Sequence, residues 1–397
     1  MEISTMRAEV QEELERNILP YWMEKVTDHE QGGYYGRIDG YDKVHPEAEK
    51  GAILNARILW TFSAAYRLLG KKEYLLAAQR ALGYILKNFT DPQYGGVFWS
   101  LNTDGSVRDA KKQTYAIGFM IYGLSEYVRA TGDETVLETA IGLYTCLEEH
   151  AFDKRNIGYI EALKRNWEPI PDMRLSDKDE NASRTMNTHL HVIEAYTNLY
   201  RVWPASRLAQ SIHTLLHIFK TNIIHPETYH LDLFFNDSWE GKRNIQSFGH
   251  DIEASWLLYE TALVLGEKKV LEEITPIIQK MAHAAMEGVQ EDGSMIYEKW
   301  TDTGHVDEQR QWWVMCENII GNLNFYQHFG DEDALRRAFA CWLFTKEKLI
   351  DHKNGEWFWS IGPDGFVNRA EDKAGFWKCP YHNSRMCFEV MERFSDK

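Results

Sequence analysis

Apolar residues recur at three- and four-residue spacing in twelve stretches of the chain, the pattern of helices with a buried face. They come in pairs. The clearest is AILNARILWTFSAAYRLLG at 52–70, which Gly70 ends, followed by EYLLAAQRALGYILKNF at 73–89. Further pairs run 113–130 with 134–150, 187–202 with 206–222, 248–265 with 268–287, and 311–329 with 332–348. The stretch 380–394 lacks a following partner and the N-terminal stretch 6–26 a preceding one, so these two complete each other.

Between the pairs stand short turns flanked by aromatics: DHEQGGYYG at 28–36, DPQYGGVFW at 91–99, DKRNIGYIE at 153–161, HPETYHLDLFF at 225–235, EDGSMIYE at 291–298 and DHKNGEWFW at 351–359. Their markers Gly33, Gly96, Gly158, His230, Gly293 and Gly355 are 63, 62, 72, 63 and 62 residues apart. Six such units bury their faces only against neighbours, and complementary half-units at the two ends favour a closed ring over an open stack. The expectation is an all-α fold, an (α/α)6 barrel of twelve helices with short hairpin-like aromatic loops, forming a single catalytic domain over 1–397. In such a ring the more apolar helix after each aromatic turn is inner and its Lys- and Glu-rich partner outer, so all inner helices begin on one face. The insertion 164–183 accounts for the long interval, and reads as either a lid or a surface connection.

Composition narrows the function. Sixty acidic against 44 basic side chains leave a net charge of -16, which opposes binding to nucleic acid or an anionic membrane surface. No apolar run approaches the length of a membrane span. Five cysteines without C-x-x-C spacing read as reduced thiols, and the start MEISTMRAEVQEELERN carries no secretory pattern, so a cytoplasmic protein is expected. No glycine-rich phosphate cradle occurs, and no cofactor is expected. Fourteen Trp and 20 Tyr exceed what a core of this size requires, and part of them is expected to line a cleft. The expected assembly is a monomer or weak homodimer.

Polar residues recur in one phase. At the starts of the inner helices stand Arg57, Tyr115, His191 with Glu194, His250 with Glu253, Trp313 with Glu317, and His382 with Arg385. Spacings of three and four put each pair on one helix face, so three imidazoles, a guanidinium and several carboxylates converge on one cavity. His189, two residues from His191, points elsewhere and reads as structural; His213 and His217 on an outer helix do too. Arg57 in an apolar setting needs either a buried ion pair or an oxyanion contact. No metal is expected, because the separations of the histidines match no compact ligand motif.

The segments MNTHLHVIEAYTNLYR (186–201), SFGHDIEASWLL (247–258) and WKCPYHNSRMCFE (377–389) closely resemble the cellobiose 2-epimerase branch of the N-acylglucosamine 2-epimerase superfamily, and the likeness spans the chain. The resemblance implies the same (α/α)6 barrel. It also implies epimerisation at C2 of the reducing-end glucose of β-1,4-linked disaccharides, cellobiose to glucosyl-mannose and lactose to epilactose, through ring opening and an enediolate. By that likeness Arg57, His191, His250, Glu253 and His382 are the catalytic set. Tyr115, Asn187, Asp179, Trp313 and Trp377 are the sugar-contacting set, and the partner is a small disaccharide. Aldose–ketose isomerisation or 2-epimerisation of a monosaccharide (mannose, glucose, N-acylglucosamine) is the nearest alternative, because the same histidines serve it. A hydrolase on this barrel would instead centre on paired carboxylates.

Overall fold

The structure, a computed structural model, describes residues 1–242 and 244–395. The helices in chain order are α1 (Ile3–Glu13), α2 (Leu19–Glu24), α3 (Ala52–Leu69), α4 (Lys72–Tyr84), α5 (Thr114–Thr131), α6 (Glu134–Cys146), α7 (Met186–Val202), α8 (Ser206–Ile218), α9 (Phe248–Leu265), α10 (Lys268–Ala285), α11 (Trp312–Phe329), α12 (Glu332–Phe344) and α13 (Tyr381–Arg393). A π-helical turn at Leu14–Ile18 joins α1 and α2 into one rod, which restores the twelve of the repeat. Helices α3, α5, α7, α9, α11 and α13 pack each on the next, and α13 packs back on α3. The ring is closed. Helix α1 packs on α13 as the outer helices α4, α6, α8, α10 and α12 pack on α3, α5, α7, α9 and α11.

Burial separates the layers as the pattern requires. Helix α3 is buried at every residue from Ala52 to Ala65, whereas α4 buries only Tyr74, Ala78, Ala81 and Leu82, a single stripe. Inner helices α3, α5, α9 and α11 each end on a glycine in the left-handed region, Gly70, Gly132, Gly266 and Gly330, which turns the chain sharply into its outer partner. The outer helices finish differently from the regular spacing predicted to about residues 89, 150, 222 and 348. Their last turns widen to π geometry at Ile85–Phe89, Leu147–Ala151, Phe219–Ile223 and Thr345–Leu349, burying the first and last residue of each. One extra residue in a turn leaves hydrophobic periodicity almost unchanged, so the pattern could not reveal it.

The aromatic turns are hairpins, closed by antiparallel bridges such as Thr90 with Val97 and Ile350 with Trp357. In four units the first residue of the turn makes a buried or half-buried ion pair with the segment entering the next inner helix: Asp28–Lys50, Asp91–Lys112, Asp153–Arg184 and Asp351–Lys373, at 2.5–2.8 Å. The same aspartates accept backbone amides two and three residues on, bracing the turn. Short strands then staple successive units, Lys50–Gly51 to Ser100–Leu101 and Ile245–Ser247 to Glu298–Trp300 among them. A crown of hairpins therefore surrounds the N-terminal ends of the inner helices. The ring's seam is closed by Ile38 with Ala374, and by Trp342 and Lys346 donating to Glu9. Among the described residues no helix is long and apolar enough to cross a membrane.

Candidate active site

Each inner helix brings its first two turns to the ring axis, and with them the polar residues whose phase they share. Arg57 is 3% exposed, and among the described residues no carboxylate pairs with it. Its guanidinium donates to the Tyr115 hydroxyl at 2.8 Å, lies over the rings of Phe119 and Tyr381, and leaves Nε without a partner. Of the two readings open from sequence, the ion pair is absent among the described residues, which leaves a buried cation without an anionic partner. The Tyr115 ring stands edge-on to His191 at 5.1 Å between centroids.

The three histidines lie in one neighbourhood. Trp313 packs against both of the others, 4.7 Å from the His250 ring and 5.6 Å from that of His382. Each imidazole has Nδ1 engaged: His191 with Glu194 at 2.8 Å, His382 with Glu317 at 2.7 Å, and His250 with the Ser247 hydroxyl at 2.8 Å. Such bonds orient the ring and leave Nε2 for other work. Burial is the first cause holding all three below the ordinary imidazole range. His191 adds to it at His250, which is pushed down to about 3, and Arg385 and Arg57 add to it at His382. Burial thus favours the neutral form of each ring.

Beneath them Arg385 gathers three carboxylates from three helices. It donates to Glu253 at 2.7 Å, to Glu317 at 2.6 Å, and to Glu194. Burial raises Glu253 well above the carboxylate range and Glu317 adds to it, whereas at Glu194 the pull of Arg385 and His191 outweighs burial. One ligand atom each from Glu253, Glu317 and His382 lies within 4.8 Å of the others, a spacing open to a metal ion, although both carboxylates are already donated to by Arg385.

Sharing a helix face leads to a direct bond for His191 with Glu194. Glu253 turns to Arg385 rather than to His250, and Glu317 crosses to the next inner helix to reach His382. A shared helix face brings two side chains close, but the partner chosen is the one across the ring with the opposite charge or free donor. Asn187, on the first turn of α7, has its Oδ1 buried without a partner. Trp377 joins the cluster of Trp99, Phe376 and Tyr115, and its carbonyl stands by Arg57. Asp179 lies higher, in the crown, accepting the amide and hydroxyl of Ser176 at 3.0 Å and facing Glu161 and Glu298 rather than the histidines. Its loop is anchored by Trp167 to Tyr94 and by Arg165 to Asp91.

As expected from its phase, His189 is structural, bonded to the Thr185 carbonyl and accepting from the Tyr159 amide. His213 pairs at the surface with Glu267. Tyr381, which donates to Glu194 and packs 4.5 Å from the His382 ring, received no role from sequence, although it immediately precedes that histidine. Ser247 was also passed over, and its place three residues before His250 was the available signal.

Comparison with known proteins agrees with this architecture. The chain is 54% identical over 386 residues to the cellobiose 2-epimerase of Bacteroides fragilis, covering 97% of this chain and 98% of that one. It is 38% identical to the cellobiose 2-epimerase of Ruminococcus albus, covering 98% and 100%. The solved cellobiose 2-epimerase of Bacillus thermoamylovorans superposes with a TM-score of 0.93 at 40% identity, over 98% of this chain and all of that one. The model of the N-acylglucosamine 2-epimerase (GlcNAc 2-epimerase) family matches residues 33–384, and with relatives this similar along the whole length, the chain belongs to that family.

Proposed function

We propose that this chain, acting as one catalytic domain, epimerises C2 of the reducing-end sugar of β-1,4-linked disaccharides, cellobiose to glucosyl-mannose and lactose to epilactose. The names borne by its relatives support the substrate class. The observation that carries the chemistry is the placing of His250 and His382, on different inner helices, against one tryptophan ring, with a buried arginine nearby that no carboxylate pairs among the described residues.

Inversion at C2 begins with ring opening, which exposes a C1 aldehyde and acidifies the C2 hydrogen. One imidazole removes that proton to give a planar enediolate, and the other delivers a proton to the opposite face. Neutral Nε2 atoms suit the abstraction. Arg57 stabilises the developing oxyanion, a preorganised contact worth about 2.7–4 kcal/mol, aided by the N-terminal ends of six helix dipoles. His191, oriented by Glu194, assists ring opening, and Glu253 with Arg385 holds the carboxylates that set the imidazoles. Trp313, Trp377, Tyr115, Asn187 and Asp179 form the bed for the two sugar rings. The five unpaired thiols support a cytoplasmic place of action.

Incubation with cellobiose in deuterated water tests the route. The epimer is expected to carry deuterium at C2; product free of label would overturn the enediolate. Carbohydrate NMR of the same mixture reads the class of reaction, since a ketose would reveal reprotonation at C1 instead.

A further inference from the structure

Ser247 is the N-cap residue of α9, yet its hydroxyl bonds to none of the helix's free amides. An N-cap serine ordinarily accepts from the second or third amide of its helix. Here it is committed to Nδ1 of His250 at 2.8 Å. The strand Ile245–Ser247 pairs antiparallel with Glu298–Trp300, with Ser247 directly opposite Glu298. Partners in such a ladder project from the same face, so the Glu298 carboxyl stands next to the Ser247 hydroxyl, which favours its charged form. Imidazole, hydroxyl and carboxyl form a row from the site outward, Ser247 fully buried and Glu298 partly open in the crown.

This row meets a chemical need. The crowded His250 ring, with His191 beside it and only Glu317 opposing, accepts a second proton reluctantly, so a base that takes the C2 proton there has to pass charge onward. We propose that Ser247 and Glu298 are a positioning pair that relays the proton of His250; the inference rests on the assignment of His250 above. As the C2–H bond breaks, its electron pair enters the enediolate and the proton goes to Nε2. The proton on Nδ1 passes to Ser247 Oγ, whose hydroxyl proton passes to a Glu298 oxygen. Imidazole begins and ends neutral, and the negative charge moves from Glu298 to the oxygen facing Arg57. Delivery from His250 runs the same row backwards, the hydroxyl reversing its direction.

Glu298 suits the role. Burial, with Asp307 and Asp179 facing it, raises its carboxyl to about 7 against the opposing bonds from Tyr297 and Ser247, so it takes and releases a proton near neutrality. His382 has no such row: its Nδ1 meets Glu317 directly, and that carboxylate is clamped by Arg385. The two imidazoles are therefore served differently, one by an outward relay and one by a fixed carboxylate.

The test measures kcat and KM for cellobiose and for its epimer between pH 5 and 9 in Glu298→Gln, Ser247→Ala and Ser247→Thr. Loss of a relay is expected to lower kcat in the first two by about 10–100-fold with KM within about twofold, and to remove the ionisation near pH 7. Ser247→Thr, which keeps the hydroxyl, is expected to restore both. A kcat within about twofold of the parent with an unchanged pH profile, or a loss confined to KM, would overturn the relay. His250→Ala separates the two levels of the argument: if it is inactive while Glu298→Gln is normal, the relay alone fails, and if it is active, the assignment of His250 fails with it.

Discussion

Glu126 and Glu161 are equally withdrawn from water, at 0% and 1% exposure, but their carboxyls move in opposite directions. Burial opposes the charge of both. At Glu126, near the C-terminal end of α5, Arg129 and Arg67 outweigh it and hold the group below the ordinary range. At Glu161, in the crown, the Thr188 and Thr185 hydroxyls answer at 2.6 and 2.9 Å without a cation, and burial raises the carboxyl to about 7. The contrast extends to the two ends of the ring. At the floor a cavity of about 220 Å³ is lined by arginines from the last turns of α3, α5 and α7, each joined to a glutamate: Arg67 to Glu126 and Glu392, Arg129 to Glu126, Arg201 to Glu260. These cations also complement the negative ends of the helix dipoles. The crown end leaves Nε of Arg57 and Oδ1 of Asn187 buried without a partner. One end of the same six helices pairs its arginines with glutamates; the other keeps an arginine that no carboxylate pairs among the described residues.

The sharpest way to break this comparison is to remove a crown imidazole. His250→Ala or His382→Ala is expected to lose at least about 10³-fold in turnover while unfolding near the parent temperature, and near-parent turnover in either would end the assignment. Next in size is Arg385→Met, which strands three buried carboxyls and is expected to cost about 3–5 kcal/mol in urea unfolding. If that variant were as stable as the parent, the carboxylates would not depend on it. A stability profile from pH 4 to 8 separates Glu161→Gln from Glu126→Gln. Glu161 is raised, so its contribution is present below about 4.5 and lost as pH rises through about 7, and Glu161→Gln gains on the parent over that span. Glu126 is lowered, so its contribution is present above 4.5 and lost on acidification, and Glu126→Gln closes its deficit only as pH falls below 4.5. Parallel profiles would contradict the comparison. The smallest effect belongs to Arg201→Met at the solvent-facing rim of the floor, expected to change stability by under about 1 kcal/mol and turnover little.

Much of this was readable along the chain. The twelve stretches, the spacing of the aromatic turns and the complementary ends lead to the closed ring, because helical faces and turn residues are local properties. The common phase of Arg57, His191, His250 and His382 was equally visible, since a residue's place in its helix fixes which face it shares. Three things were not. The π turns change periodicity by too little to show; the Asp–Lys pairs span 21 or 22 residues between a turn and an extended segment too short to predict; and the bond from Glu317 to His382 spans 65 residues.

What the order of amino acids determined by itself is the repeat, the layer to which each helix belongs and the end of the ring at which the chemistry-bearing residues gather. Only the closed tertiary structure decided who bonds with whom there: that Glu253 serves Arg385, that Glu317 serves His382, and that Ser247 turns from its helix to His250. The reason is physical. Periodicity specifies a direction from a helix axis, whereas a hydrogen-bond partner depends on distances between helices far apart in sequence, set when the packed ring closes and each buried polar atom settles on a partner within reach.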